Sequence, residues 1–404
     1  MSTVSLINAD RLSSPDVIAN PYPTYHELRE HSPLNYEFLP AGAVSGMTEP
    51  VRAWALMRYR DVYGALRDHE TFASRHSLAG KVVPRLALIH DDPPRHTRFR
   101  HLVNKAFTLR RIEALKPWIA SVVNELLNEM TAQPESELMQ AYAIPLPVKV
   151  IAKMLGIPGE DYVRFKQWSD TFLAFSSMRP DERAKSNQEM MTYFGHIAAA
   201  RRAQGAEDLI TALVEASVDG ESLQDAEIIG FCILALIAGN ETTTNLIGNM
   251  LGILLDRPEL WDRLRANRSL VDVVIEETLR LESPFQRLSR ITTRDTEVSG
   301  VAIPQGSLIT IYYGAANRDP EEFPNPNEFQ LDRDLRNHVA FGMGIHYCLG
   351  APLARAEASI TLNTFLDRFP VIERGSLPAL RQTASLMVFG YQQLPLKFHM
   401  GNMR

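Results

Sequence analysis

From Ile228 to Leu255 the chain carries one formal charge, Glu241, in a run that is otherwise almost wholly apolar. No other feature restricts the fold so strongly. A helix that is apolar all round must be buried all round, in lipid or in the core of a large protein. Its middle decides between the two. "GNETTTN" sets Asn240, Glu241, three threonines and Asn245 at mid-depth and leaves apolar runs of twelve and ten residues, each too short to cross a bilayer. The run is therefore expected to be the central helix of a large protein, with no membrane association. With 404 residues, 45% of them hydrophobic and 22% charged, the chain has ample material for such a core.

The helix is predicted to start at "SLQD", with Ser222 as its cap and Asp225 reaching back, and to stop before Pro258. That makes a rod of roughly 34 residues and about 50 Å. Helical periodicity dominates from about residue 95 to about residue 280. Strand-like alternation shows in "RAWALMRY", in "RITTRDTEVSGVAIPQGSLITIYYG" and in "SLMVFGYQQLPLKFHM". The fold class is mainly α with small β-sheets (α+β). Pro and Gly punctuate the chain without forming a low-complexity linker, and no fixed-period repeat is visible, so one unit over residues 1–404 is expected.

The N-terminal stretch has no basic start followed by an unbroken apolar run, which predicts a cytoplasmic protein. Cys232 and Cys348 are then expected to be lone thiols. A net charge of -6 argues against nucleic acid as a partner.

Burying "GNETTTN" is costly unless its groups have partners or work to do. It reads either as a hydrated polar patch or as a site of proton movement, with Ala238 and Gly239 leaving room for a ligand against the backbone. A second stretch, "FGMGIHYCLG", places Cys348 just before a good helix pattern, "LGAPLARAEASITLNTFLDRF". Amide groups and the positive end of that helix would favour a thiolate, and the glycines would let a flat group lie close. Those are the needs of an axial haem ligand. A Cys/His pair with His346 suffers from poor facing geometry, a dinucleotide loop fails at its third glycine, and inert packing remains open.

Two further segments bear on the choice. "EETLR" sets Glu277 and Arg280 one turn apart, by default a surface ion pair. "HDDPPRHTRFRHLVNKAF" sets His96 and Arg100 four apart on a helix opened by Pro93 and Pro94, so that both can point at one anion.

In this order the motifs resemble the cytochrome P450 monooxygenases of the soluble bacterial type, over nearly the whole chain. "FGMGIHYCLG" matches that family's cysteine loop, "AGNETT" its oxygen-activating helix and "EETLR" its Glu-x-x-Arg. The resemblance implies haem b (iron protoporphyrin IX) with Cys348 as proximal thiolate and metal ligand, Phe341 beside it, Ala238 and Gly239 against the haem, and His96, Arg100, Arg290 and His346 on its propionates. It implies a buried network of Glu277, Arg280 and Arg333. Thr242 would hydrogen-bond dioxygen, and Glu241 would relay protons through water.

The implied reaction is hydroxylation of a C-H bond, with O2 as oxidant. The implied substrate is a medium-sized hydrophobic molecule such as a terpenoid, steroid, fatty acid or macrolide precursor. Its contacts would come from Leu86, Leu88, Phe172, Phe175, Ile233, Ile237, Pro284, Phe285, Gln286, Arg287, Leu288, Met387 and Val388, with Gln286 or Arg287 orienting a polar end. Electrons would come from a ferredoxin or flavodoxin with its NAD(P)H-dependent reductase, for which Arg98, Lys105, Arg110 and Arg111 offer docking cations. A monomer is expected. A peroxide-driven peroxygenase would not need the Glu241/Thr242 relay, and a haem-based gas sensor or carrier would bind dioxygen without forming product.

Overall fold

A computed structural model describes residues 12–39, 48–75, 87–173, 180–218 and 220–399. Five helices position the site: α1 (Arg95–Ala106), α2 (Pro145–Leu155), α3 (Asp225–Leu255), α4 (Leu270–Leu281) and α5 (Ala351–Arg368). The main sheet has five strands, β1 (Leu34–Leu39), β2 (Val51–Leu56), β3 (Phe72–Ala73), β4 (Arg287–Thr292) and β5 (Leu308–Tyr312), in the order β1-β2-β5-β4-β3. β2 and β5 run parallel, while the other neighbours are antiparallel.

The helix foreseen from the apolar run is α3, and its start differs from the expected one. Ser222 belongs to a hairpin strand, paired with Ser217. The cap is Gln224, whose amide N–H donates to the Glu227 carboxylate at 3.0 Å in a capping box. Gln224 can replace serine because Arg98 of α1 also donates to Glu227, at 2.7 Å, which pins this carboxylate at the N-terminal turn. Among the described residues α3 is the one helix long and apolar enough to cross a membrane. Here α2, α4, α5 and the helix Pro180–Ala203 pack around it, and its apolar side chains join one large helical core.

The sheet separates two smaller cores. Tyr22, Tyr25 and Leu28 of the N-terminal helices cover one face, where Ala53, Ala55, Leu308 and Tyr312 point. Tyr59, Val62 and Leu66 pack on the other, with Leu56, Ile309 and Ile311. In β4 the two-residue period puts Leu288 and Arg290 on one side and Arg287 on the other.

Candidate functional site

Cys348 sits two residues before the cap of α5, at Gly350. Gly342 and Gly344 take φ of +69° and +68°, the left-handed region that side chains avoid, and a Cβ on Gly344 would meet the Leu66 carbonyl at 2.6 Å. The loop turned by these glycines lets the Cys348 amide donate to the Phe341 carbonyl at 2.9 Å. Burial pushes the Cys348 thiol up, against the amides of Gly350 and Ala351 and the cations Arg100 and Arg355, which pull it down. The amides at this helix start do pull toward the thiolate, as expected, and burial outweighs them in the protein alone. A facing metal cation reverses that balance. Both cysteines are free thiols, and Cys232 is inert core, its thiol driven far up by burial.

Beside this thiol the fold gathers four basic groups. His96 of α1 is 2% exposed, and among the described residues neither ring nitrogen has a hydrogen-bond partner. Its ring lies 4.3 Å from that of His346, whose Nε2 pairs with Ser74 Oγ at 2.9 Å. Arg290 is buried and donates to the carbonyl of its own neighbour, Ser289. Arg100 donates to the Tyr347 carbonyl at 2.8 Å. Burial, then Arg290, His96 and Arg100, bring His346 down to about 2, and burial also lowers His96, Arg100 and Arg290. Among the described residues neither arginine has an ion pair with a carboxylate. One buried and one half-buried arginine with a histidine that has no hydrogen-bond partner among the described residues call for an anion with several acceptor oxygens. The propionates of a haem whose iron meets Cys348 fit that demand.

On α3, from Glu227 to Leu255, Ala238 is the only exposed residue. Thr242 Oγ1 donates to the Ala238 carbonyl at 2.6 Å, and Glu241 and Thr242 are half-buried. Gly239, the neighbour of Ala238, is half-buried. A Cβ there would meet Ile151 Cδ1 of α2 at 2.7 Å, so the glycine serves close helix packing, contrary to the expected role.

The Glu277–Arg280 pair is fully buried. Arg280 Nε and Nη2 donate to Glu277 at 2.7 and 2.8 Å, Arg333 Nε donates at 3.2 Å and the Gln330 amide at 3.0 Å. Arg280 also donates to the carbonyls of Asn317, Pro326 and Glu328, so the network is satisfied on both sides. The default surface reading is replaced accordingly.

Of the expected substrate contacts, Leu86 and Phe175 lie outside the described residues, as does the side chain of Phe172. Leu88 is buried in the left-handed region (φ +70°), its amide held by the Asp91 carboxylate, and the neighbouring Ala87 rests on Gly230 of α3. Ile233 is half-buried and Ile237 buried on α3. A bridge between Phe285 and Val388 joins the segment that begins at Pro284, and leads into Leu288, to the C-terminal loop, where Met387 is exposed. Gln286 and Arg287 are placed elsewhere. Gln286 is fully buried, donating to the Ser283 carbonyl, and Arg287 lies between Phe38 and Tyr312 on the opposite side of β4 from Arg290. The Gln286 amide nitrogen and the Arg287 guanidinium, which donates to the Tyr312 hydroxyl, are held by the fold. Arg98, Lys105 and Arg111 bond within the chain, to Glu227, the Ser217 carbonyl and the Asp208 carbonyl, and Lys105, Arg110 and Arg111 are exposed. Ser74 and Arg355 were not anticipated. Their neighbours in sequence carry no motif, although Arg355 follows Cys348 by two helical turns.

The family model for Cytochrome P450 matches residues 146–399. "Cytochrome P450 109" of Bacillus spizizenii is 38% identical, over 97% of this chain and 95% of that protein. "Vitamin D(3) 25-hydroxylase" of Pseudonocardia autotrophica is 35% identical, over 93% of each. The crystal structure of CYP109E1 from Bacillus megaterium in complex with testosterone superposes with a TM-score of 0.82 at 37% identity, covering 94% of this chain and 100% of that one. With its helix-rich α+β fold, its cysteine loop and these relatives, the chain belongs to the cytochrome P450 family of haem-iron monooxygenases.

Proposed function

We propose that this chain hydroxylates a medium-sized hydrophobic molecule, such as a terpenoid, steroid, fatty acid or macrolide precursor, with Cys348 as axial thiolate to haem b. The observation that carries the reading is the half-buried Cys348 thiol beside a basic cluster that lacks carboxylate partners among the described residues. The bound haem supplies the chemistry that activates dioxygen. His96, Arg100, Arg290 and His346 would hold its carboxylates, and Ala238 would lie against its face. The Glu277–Arg280–Arg333 network would keep the thiol loop in place. Thr242 gives its own hydrogen to the Ala238 carbonyl, which leaves its lone pairs to accept a hydrogen bond. Glu241, next to it, would hold a proton and pass it on through water.

Leu88, Ile233, Ile237, Phe285, Leu288 and Val388 would give the substrate an apolar enclosure. A steroid-sized guest is supported by the relative named for vitamin D(3) and by the testosterone complex. Electrons would arrive from a ferredoxin or flavodoxin with its NAD(P)H-dependent reductase. We take the chain to be a single haem domain, monomeric and cytoplasmic.

The test is a panel of steroids, terpenoids, fatty acids and macrolide precursors, titrated for conversion of the ferric haem from low to high spin and then incubated with NADH, a surrogate ferredoxin and its reductase. The proposal expects a spin shift and an oxygenated product from the same compounds. Binding of dioxygen or CO with no product from any of them would point to a sensor or carrier, and product formed with peroxide alone to a peroxygenase.

A further inference from the structure

The residue before Glu277 has its own set of partners. Arg355 of α5 donates to the Glu276 carboxylate through Nε at 2.6 Å and through Nη2 at 2.8 Å, and His338 Nε2 lies 2.8 Å from the same group. His338 precedes the cysteine loop and Arg355 follows it, so one carboxylate on α4 ties down both ends of the loop. The guanidinium of Arg355 lies 4.5 Å from the centre of the Phe341 ring, whose other neighbours include His338 at 6.3 Å. The Phe341 carbonyl accepts the amide hydrogen of Cys348. Arg355 also acts on the thiol as a nearby cation. A path of direct contacts therefore runs from Glu276 through Arg355 and Phe341 to the backbone of Cys348, separate from the Glu277 network.

Resting on the haem-thiolate reading above, we infer that Glu276 is a positioning residue, which fixes Arg355 against Phe341 and thereby sets both the placement of the Cys348 sulfur and the positive field it feels. Two separable effects follow. The bidentate fork and the shared histidine supply geometry, since an arginine held at two points cannot swing off the ring. The charge balance supplies electrostatics. Arg355 favours electron-rich sulfur and reduced iron, and Glu276 offsets part of that field. Removing one charge or the other must move the haem reduction potential in opposite directions, which a merely structural role would not do.

The test uses purified holoenzyme of Glu276→Gln, Arg355→Met, the double variant and Arg355→Lys, read by spectroelectrochemical midpoint potential and by the band position of the ferrous CO complex. Glu276→Gln is expected to shift the potential upward and Arg355→Met downward, with the double variant between them. Both single variants should raise the fraction of CO complex lacking the red-shifted thiolate band. Arg355→Lys keeps the charge and loses the fork. Its potential should stay near that of the parent while its thiolate fraction falls, which keeps the geometric effect testable should Glu276→Gln retain no haem. Potentials moving in the same direction, or variants equal to the parent in both readouts, would overturn the inference. A parent enzyme without the red-shifted band would instead refute the haem-thiolate reading itself.

Discussion

The imidazole rings of His96 and His346 stand 4.3 Å apart, tilted by 55°, one on α1 and the other in the cysteine loop. Both nitrogens of His96 lack a partner among the described residues. Such an arrangement is costly in the protein alone and becomes favourable when acceptor oxygens fill it. Replacing His96 by Ala should remove about 1 kcal/mol of haem affinity, or about fivefold in the rate of haem transfer to apomyoglobin. Replacing the exposed His101 on the same helix should leave that rate unchanged.

Ala238 and Gly239 are neighbours with opposite surroundings. Gly239→Ala should cost about 1–3 kcal/mol, because its methyl group meets Ile151, and the added substitution Ile151→Val should recover part of that loss in thermal unfolding. Substrate-induced spin shifts should survive in both variants. Ala238→Phe, at the exposed position, should abolish the spin shifts with little loss of folded protein.

Thr242→Ala should uncouple electron use from product, so that NADH is consumed while hydrogen peroxide replaces hydroxylated product. Thr242→Ser keeps a hydroxyl that can still donate to the Ala238 carbonyl and should keep most of the coupling. Equal coupling in the alanine variant would refute the relay.

Glu277 has no exposed side-chain surface, and three donors depend on it. Breaking a buried pair by removing one partner costs about 3–5 kcal/mol. Glu277→Ala should therefore yield little folded holoenzyme. Loss of the exposed Arg336–Asp334 pair, by Arg336→Ala, should be silent in the same thermal assay.

Burial alone would raise the Glu276 carboxyl, but hydrogen bonds from Arg355 and His338 outweigh it and bring the group down to about 2. A folded value below the unfolded one makes the unfolded chain bind more protons, so the contribution is complete above about 4.5 and is lost as pH falls toward about 2. Glu276→Gln should flatten the decline of stability with pH across that window. An unchanged slope would count against the pairing.

The sequence made the central helix legible because an unbroken apolar run with one charge admits few environments. The cysteine loop was legible because its glycines and thiol lie together along the chain. Gly239 was misread because a glycine signals close approach without naming the neighbour, and that neighbour, Ile151, lies on another helix. Arg287 was misread for a related reason. Only the strand register shows that it faces away from Arg290, toward Phe38 and Tyr312. The N-terminus of α3 escaped because Gln224 caps it only with Glu227, which Arg98 of α1 also holds. Contacts formed between distant segments leave no local mark.

The central claim is that Cys348 binds haem iron as an anion, and the absorption spectrum of the ferrous CO complex tests it most directly. The account predicts the red-shifted Soret band of anionic sulfur ligation in the parent protein and its loss in Cys348→Ala. A haem-replete protein whose CO complex absorbs like that of a neutral-thiol or histidine-ligated haem, or whose band survives Cys348→Ala, would contradict it.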